Sequence, residues 1–195
     1  MKKEFSPKEK TQYKFLLNVL GSLFSNIPLE NNDEIDLREL YFNSAKSRVA
    51  NMVSYALEKS KINVPKEIMD MFIRCRKFML MKDASQFSAT KKLITEFEKQ
   101  GIDNLLVKGQ FIKDTYPQPD FRVTNDVDIH IKNKDIEKAR TILSSLDYRI
   151  IQSTDDLIVA VQDPFVQLEI HCDNGNFRNS TFTENLFSNA KLVDN

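Results

Sequence analysis

The stretch Asn125-Asp126-Val127-Asp128-Ile129-His130-Ile131 decides the fold of the second half of this 195-residue chain. We interpret Thr124 to Lys132 as a strand with one buried face, because apolar and polar residues alternate from Asp126 onward. Successive side chains of a strand point to opposite faces of its sheet. We therefore predict that the apolar residues face a core and that three polar side chains share the other face: Asp126, Asp128 and His130.

The two aspartates on this polar face form the first candidate site. Asp126 and Asp128 lie about 7 Å apart along a strand at the usual rise per residue. Two carboxylates at that separation can bind one or two divalent cations, as phosphoryl-transfer chemistry requires. A bare pair of aspartates is more often a solvated strand surface, so the pattern alone leaves both interpretations open.

A second alternating stretch, Phe165 to Cys172, contributes a third carboxylate. Its apolar residues would face the core, whereas Glu169 and His171 would share the opposite face. If the two strands are neighbours, Asp126, Asp128 and Glu169 form a three-carboxylate metal site. The sequence does not show that the strands lie side by side.

A candidate phosphate site lies at Val107-Lys108-Gly109-Gln110, where an apolar run ends and a helical pattern begins. Glycine lets a backbone approach a phosphate closely, and the lysine offers a positive charge. One glycine is a weak signal, and a simple turn explains it as well. Arg122, four residues before the first aspartate, can contact a phosphate or neutralise the carboxylates.

The order of elements predicts an α+β chain with two parts. Residues 1–85 repeat apolar residues at three- and four-residue steps, which indicates a helical N-terminal segment. Residues 86–195 start with a helix ended by Gly101 and continue into a core with a mixed β-sheet. The predicted helices have their inner faces at Tyr13–Phe24, Ala45–Ala56 and Ile68–Met79, with a fourth helix from about Ser88 to Gln100.

Composition and charge exclude several classes of protein. The 28 basic and 28 acidic residues cancel, so the chain lacks the overall basic field that grips nucleic acid. Residues 1–100 carry a net charge of +5 and residues 101–195 carry −5, which favours a cation site in the second part.

No apolar run approaches the ~20 residues that span a bilayer. Cys75 and Cys172 form neither a disulfide framework nor a zinc motif. We expect a cytoplasmic protein without a membrane or nucleic-acid template as partner.

The motifs follow one another in the order of a known family. They are Leu106-Val107-Lys108-Gly109, Tyr116-Pro117, Phe121-Arg122, Asp126-Val127-Asp128-Ile129 and Leu168-Glu169-Ile170-His171. Over about residues 85–175 this series resembles the poorly characterised branch of the polymerase-β-like nucleotidyltransferases. That family commonly continues into further helices after the third carboxylate. The nucleotidyltransferase-like core at residues 86–195 can therefore be a truncated one.

The resemblance implies a reaction and a set of site residues. A nucleoside monophosphate would move from an NTP, with ATP expected, to a hydroxyl of a small molecule or protein, and pyrophosphate would leave. Asp126, Asp128 and Glu169 would bind Mg²⁺ or Mn²⁺, and Glu169 would help to activate the hydroxyl. The residues expected to bind the nucleotide are Lys108, Gly109, Gln110 and Arg122.

Two alternatives remain open. His130 and His171 share the faces of the carboxylates, and imidazole favours zinc, iron or nickel, so a metal-dependent phosphohydrolase is the first alternative. A non-catalytic nucleotide-binding or interaction module on the same scaffold is the second, although the presence of all three carboxylates argues against it. We expect both histidines to be hydrogen-bond partners of the ligands and not ligands themselves.

Overall fold

A computed structural model of the chain describes residues 4–25, 28–30, 32, 34–162 and 164–173. The chain divides into two compact units, Met1–Met81 and Lys82–Asn195. The boundary after residue 85 that the sequence suggests stays a prediction. Among the described residues, no helix combines the length and the apolar character that crossing a membrane requires.

The first unit is built from helices. These are α1 (Pro7–Ser22), α2 (Leu37–Lys46), α3 (Ala50–Lys59) and the first part of α4 (Lys66–Lys99). Helix α1 begins with a capping box, in which the Ser6 hydroxyl accepts from the Glu9 N–H and the Glu9 carboxylate accepts from the Ser6 N–H. The helices bury a shared apolar cluster that includes Val19, Val53 and Phe72.

Two of the helix predictions are wrong in their extent. The apolar pattern from Ala45 to Ala56 is divided between α2 and α3, because the chain turns at Arg48 with a φ of 59°. The segments predicted as separate helices at 68–79 and 88–100 belong to the single helix α4. This stretch contains neither proline nor glycine, so nothing in it ends the helix.

Gly101 ends α4 as the sequence predicts. Its φ of 66° lies in the left-handed region, which glycine adopts without a steric cost. The Gly101 N–H donates to the Glu98 carbonyl and the Ile102 N–H donates to the Phe97 carbonyl. These two bonds form a Schellman motif, which directs the chain from α4 into the first strand.

The second unit contains a five-stranded mixed sheet, which confirms the α+β class. Its order across the sheet is β1-β2-β5-β4-β3. Strands β2 and β5 run parallel, and the other neighbouring pairs run antiparallel. The elements of this unit after α4 are β1 (Asn104–Val107), α5 (Gly109–Ile112), β2 (Val127–Lys132), α6 (Ile136–Ser145), β3 (Arg149–Ser153), β4 (Leu157–Gln162) and β5 (Val166–Asp173).

One face of this sheet forms the core of the second unit. Leu93 and Phe97 of α4 and Leu143 of α6 belong to the same buried cluster as Ile129 of β2 and Ile170 of β5. Each of these side chains is fully buried, which contributes roughly 1.5–3 kcal/mol per residue. Because side chains alternate along a strand, the polar residues of β2 and β5 lie on the opposite face.

Strand β2 begins at Val127 and not at Thr124, where the predicted strand starts. The Thr124 hydroxyl donates to Gln86 Oε1 at 3.1 Å, and Gln86 Nε2 donates to the Asn125 carbonyl at 3.3 Å. Gln86 belongs to α4 and is 1% exposed. The residues before β2 are therefore bonded to a helix instead of a strand, and Asp126 precedes the strand.

Candidate active site

The candidate metal ligands meet where β2 and β5 lie side by side. The parallel register places Asp128 opposite Glu169 and His130 opposite His171. All four residues alternate with core residues, so they share the polar face of the sheet. Asp128, Glu169 and His171 each offer a ligand atom within 4.8 Å of the other two. Two carboxylates and an imidazole at this spacing fit a divalent cation.

Asp128 is the buried centre of this group. Its side chain is 6% exposed, and its Oδ1 atom accepts a hydrogen bond from Lys108 Nζ. The same oxygen lies 3.1 Å from His171 Nε2, which lies 3.8 Å from Glu169 Oε2. Because a buried carboxylate is costly without partners, these neighbours stabilise its charge. The Lys108 ammonium and the His171 imidazole therefore converge on one oxygen.

Lys108 is the cation nearest to this oxygen. It follows β1 with a φ of 57° and a ψ of −128°, a conformation that residues other than glycine rarely adopt. The hydrogen bond to Asp128 raises the pKa of Lys108 against the effect of desolvation, and attraction to Glu169 and Asp126 raises it further. The ammonium group therefore stays charged among the three carboxylates that the sequence singles out.

Asp126 lies at the margin of the group. It stands immediately before β2 and is half-buried. Among the described residues, the group within 4.8 Å consists of Asp128, Glu169 and His171, so Asp126 is outside it. Its attraction to Lys108 places its carboxylate in the same region. The structure thus brings together two of the three predicted carboxylates and adds a histidine.

Gly109 is buried against Thr124 beside the cluster. A Cβ atom on Gly109 would lie 2.3 Å from Thr124 Cγ2 and 4.0 Å from Arg122 Nε. Only a residue without a side chain fits there, so packing explains this glycine without any ligand. The same proximity makes Lys108, Gly109 and Arg122 neighbours. The side chain of Gln110 lies outside the described part of the structure.

Two glutamines support the site although the sequence analysis assigned them no role. Gln167 Nε2 donates to Glu169 Oε1 at 3.3 Å, and Gln86 holds the backbone before Asp126. Gln86 could have been noticed as a polar residue within the apolar stripe of α4. Gln167 precedes Glu169 by two residues and therefore shares its face of β5.

The histidine rings are arranged in parallel beside the carboxylates. The ring centroids of His130 and His171 are 5.0 Å apart, and their planes are inclined by 22°. This stacking restricts the rotation of the His171 ring, whose Nε2 atom points toward Asp128. His171 therefore lies within hydrogen-bond distance of Asp128, one of the predicted ligands.

Comparison with known proteins bears on the identity of this fold and site. The chain matches a family described as "Uncharacterised nucleotidyltransferase" over residues 33–193. No curated protein and no solved structure matches the chain. The family match covers most of the chain, including the sheet and the three carboxylates at positions 126, 128 and 169. The chain therefore belongs to this family of uncharacterised nucleotidyltransferases.

Proposed function

We propose that the chain is a metal-dependent nucleotidyltransferase. It transfers a nucleoside monophosphate from an NTP, with ATP as the preferred donor, to a hydroxyl of a small molecule or protein. Membership of the family supports the class of reaction. The observation that carries the proposal is the register of β2 and β5, which sets Asp128 opposite Glu169. Two motifs that are distant in sequence thereby contribute to one donor set.

The carboxylates carry the chemistry in this proposal. Asp128 and Glu169, with Asp126 beside them, hold Mg²⁺ or Mn²⁺, which polarises the phosphoryl oxygens when bound. The acceptor oxygen forms a bond to the α-phosphorus, the bond from the α-phosphorus to the bridging oxygen breaks, and pyrophosphate leaves. Glu169 receives the hydroxyl proton. The protein acts by positioning the reactants and by stabilising charge.

In this proposal the triphosphate of the nucleotide lies next to the C-terminal end of β1. Lys108, Gly109, Gln110 and Arg122 are the proposed contacts of the triphosphate. The proximity of Arg122 to Gly109 supports this assignment, because it brings a second positive charge to the residue that follows Lys108. Lysine binds phosphate as a point charge, whereas the planar guanidinium of arginine can donate two parallel hydrogen bonds.

Thermal stability with each of the four NTPs and Mg²⁺ tests the proposal without knowledge of the acceptor. A ligand at a hundred times its Kd stabilises a fold by roughly 2.7 kcal/mol, which is a readily measured shift. We expect a metal-dependent shift with at least one NTP, and its loss in the Asp126→Asn/Asp128→Asn double variant. Asp103→Asn is the matched control, because Asp103 pairs with Lys132 on the surface.

Each outcome of this experiment separates the proposal from its alternatives. A wild-type protein that no NTP stabilises would contradict it. If Zn²⁺ raises the thermal stability of the protein and no NTP does, the result favours the metal-dependent phosphohydrolase. A nucleotide shift that survives in the double variant would favour a binding module that does not use these carboxylates.

A further inference from the structure

The His171 imidazole adds a nitrogen atom to a group of candidate ligands whose other members are carboxylate oxygens. Mg²⁺ takes oxygen ligands in a near-ideal octahedron and keeps several of its waters. A nitrogen donor instead favours first-row transition ions, whose affinity for such sites rises from Mn²⁺ toward Co²⁺ and Cu²⁺. Nε2 of His171 lies 3.1 Å from Asp128 Oδ1 and 3.8 Å from Glu169 Oε2.

We propose that His171 is itself a metal ligand, and that the site therefore prefers a transition-metal ion such as Mn²⁺ or Co²⁺ over Mg²⁺. The inference rests on the proposed function, because it specifies the metal of the same site. It reverses the expectation from sequence that His171 only supports the ligands.

The geometry of the three donors supports a shared cation. The side chain of Asp128 is 6% exposed, whereas those of Glu169 and His171 are 25% and 21% exposed. The site is therefore open to solvent on the side of Glu169 and His171. The open side leaves coordination positions for the oxygens of a substrate. An entirely carboxylate site would use Asp126 as its third donor, yet among the described residues Asp126 lies outside the 4.8 Å group.

The orientation of the ring is the second observation. His171 stacks on His130 with centroids 5.0 Å apart, which holds the ring plane while Nε2 points at the carboxylates. The Asp128 oxygen that faces Nε2 accepts a hydrogen bond from Lys108, so a cation bound to this oxygen would take the place of the Lys108 ammonium. His130 lies directly opposite His171 in the strand register, yet it is outside the 4.8 Å group of described residues.

This difference makes His130 a matched control for His171. We would measure the affinities of Mg²⁺, Mn²⁺ and Co²⁺ for the full chain by calorimetry, without nucleotide, in the wild type, His171→Gln and His130→Phe. The expected result is at least a tenfold fall in Co²⁺ affinity for His171→Gln, with Mg²⁺ affinity changed less than threefold. His130→Phe is expected to keep the wild-type ratio of the two affinities, because it retains a ring on which the His171 imidazole can stack.

A histidine that only donates a hydrogen bond to Asp128 would give a different result. Its replacement would lower the affinities for Mg²⁺ and Co²⁺ by the same factor, and an unchanged ratio of these two affinities would overturn the inference. Pulsed electron paramagnetic resonance of the Mn²⁺-loaded wild type keeps the test independent of how well the variant folds. Nitrogen coupling to the bound Mn²⁺ is expected, and its absence would also overturn the inference.

The result is separable from that of the NTP experiment. Metal affinities are measured without nucleotide. If no NTP binds, a preference for Co²⁺ that is lost in His171→Gln still supports the role of His171. Conversely, a shift with NTP and Mg²⁺ beside an unchanged metal ratio in His171→Gln would retain the proposed function and reject the role of His171.

Discussion

Replacing Gly109 with alanine tests whether this glycine is required for packing. The new Cβ would lie 2.3 Å from Thr124 Cγ2, whereas carbon atoms in contact are about 3.5–4.0 Å apart. Rotation of the Thr124 side chain would relieve the clash but would move Oγ1 away from Gln86, which it bonds at 3.1 Å. Overpacking costs about 1–3 kcal/mol and a lost buried hydrogen bond about 1 kcal/mol. We expect Gly109→Ala to lower the free energy of unfolding by about 2 kcal/mol.

The Thr124→Ser background supplies the decisive comparison. Serine lacks the Cγ2 methyl group but keeps the hydroxyl that bonds Gln86, so Gly109→Ala should cost less than about 0.5 kcal/mol there. Cys172 provides the assay, because it is 2% exposed in the sheet of the second unit and its thiol reacts when that sheet opens. Labelling is followed by mass spectrometry of its peptide at increasing urea. An equal cost of Gly109→Ala in both backgrounds would refute the steric reasoning.

The same double variant separates packing from nucleotide binding. If Gly109 also approaches the triphosphate, Gly109→Ala/Thr124→Ser will fold stably and lose the stabilisation by NTP and Mg²⁺. If the glycine serves only to accommodate Thr124, the double variant will keep that stabilisation.

Two further predictions concern charge. Lys108→Met removes the cation that is bonded to Asp128. Because the Lys108 side chain is 62% exposed, its ion pair with Asp128 contributes about 1 kcal/mol. Calorimetry should therefore show roughly fivefold tighter binding of a metal ion without nucleotide. NTP stabilisation should fall in the same variant, and weaker metal binding would contradict this account. Burial raises the pKa of Cys172 from 9.0 to about 11, so above pH 9 the unfolded chain loses a proton that the native protein keeps. The urea midpoint should therefore fall more steeply from pH 9 to 10 in the wild type than in Cys172→Ala, and parallel pH profiles would exclude this contribution.

Local periodicity predicted which side chains share a face. The alternation at 127–132 and 166–172 assigned Ile129 and Ile170 to the core and Asp128, Glu169 and His171 to the other face, and the structure confirms that division. The prediction succeeds because the two-residue period of a strand is a property of the backbone alone. The glycine that ends α4 was predictable for a similar reason, since the left-handed conformation at Gly101 is a local preference.

The extent of the elements was less predictable. An apolar pattern continued from α2 into α3, yet the backbone turns at Arg48, which periodicity does not detect. The predicted strand started at Thr124, but Gln86 bonds the backbone and hydroxyl of the segment before β2. In both places a contact or a turn outside the repeating pattern decides where the element ends.

The sequence alone established the α+β class, the polar faces of two strands and the identity of their carboxylates. Only the tertiary structure set β2 and β5 in parallel register, placed His171 among the ligand atoms and left Asp126 outside that group. Strand pairing depends on hydrogen bonds between backbones that are distant in the chain, so no local pattern specifies it. The metal preference proposed for this site depends on that pairing, because the pairing brings Asp128 to His171.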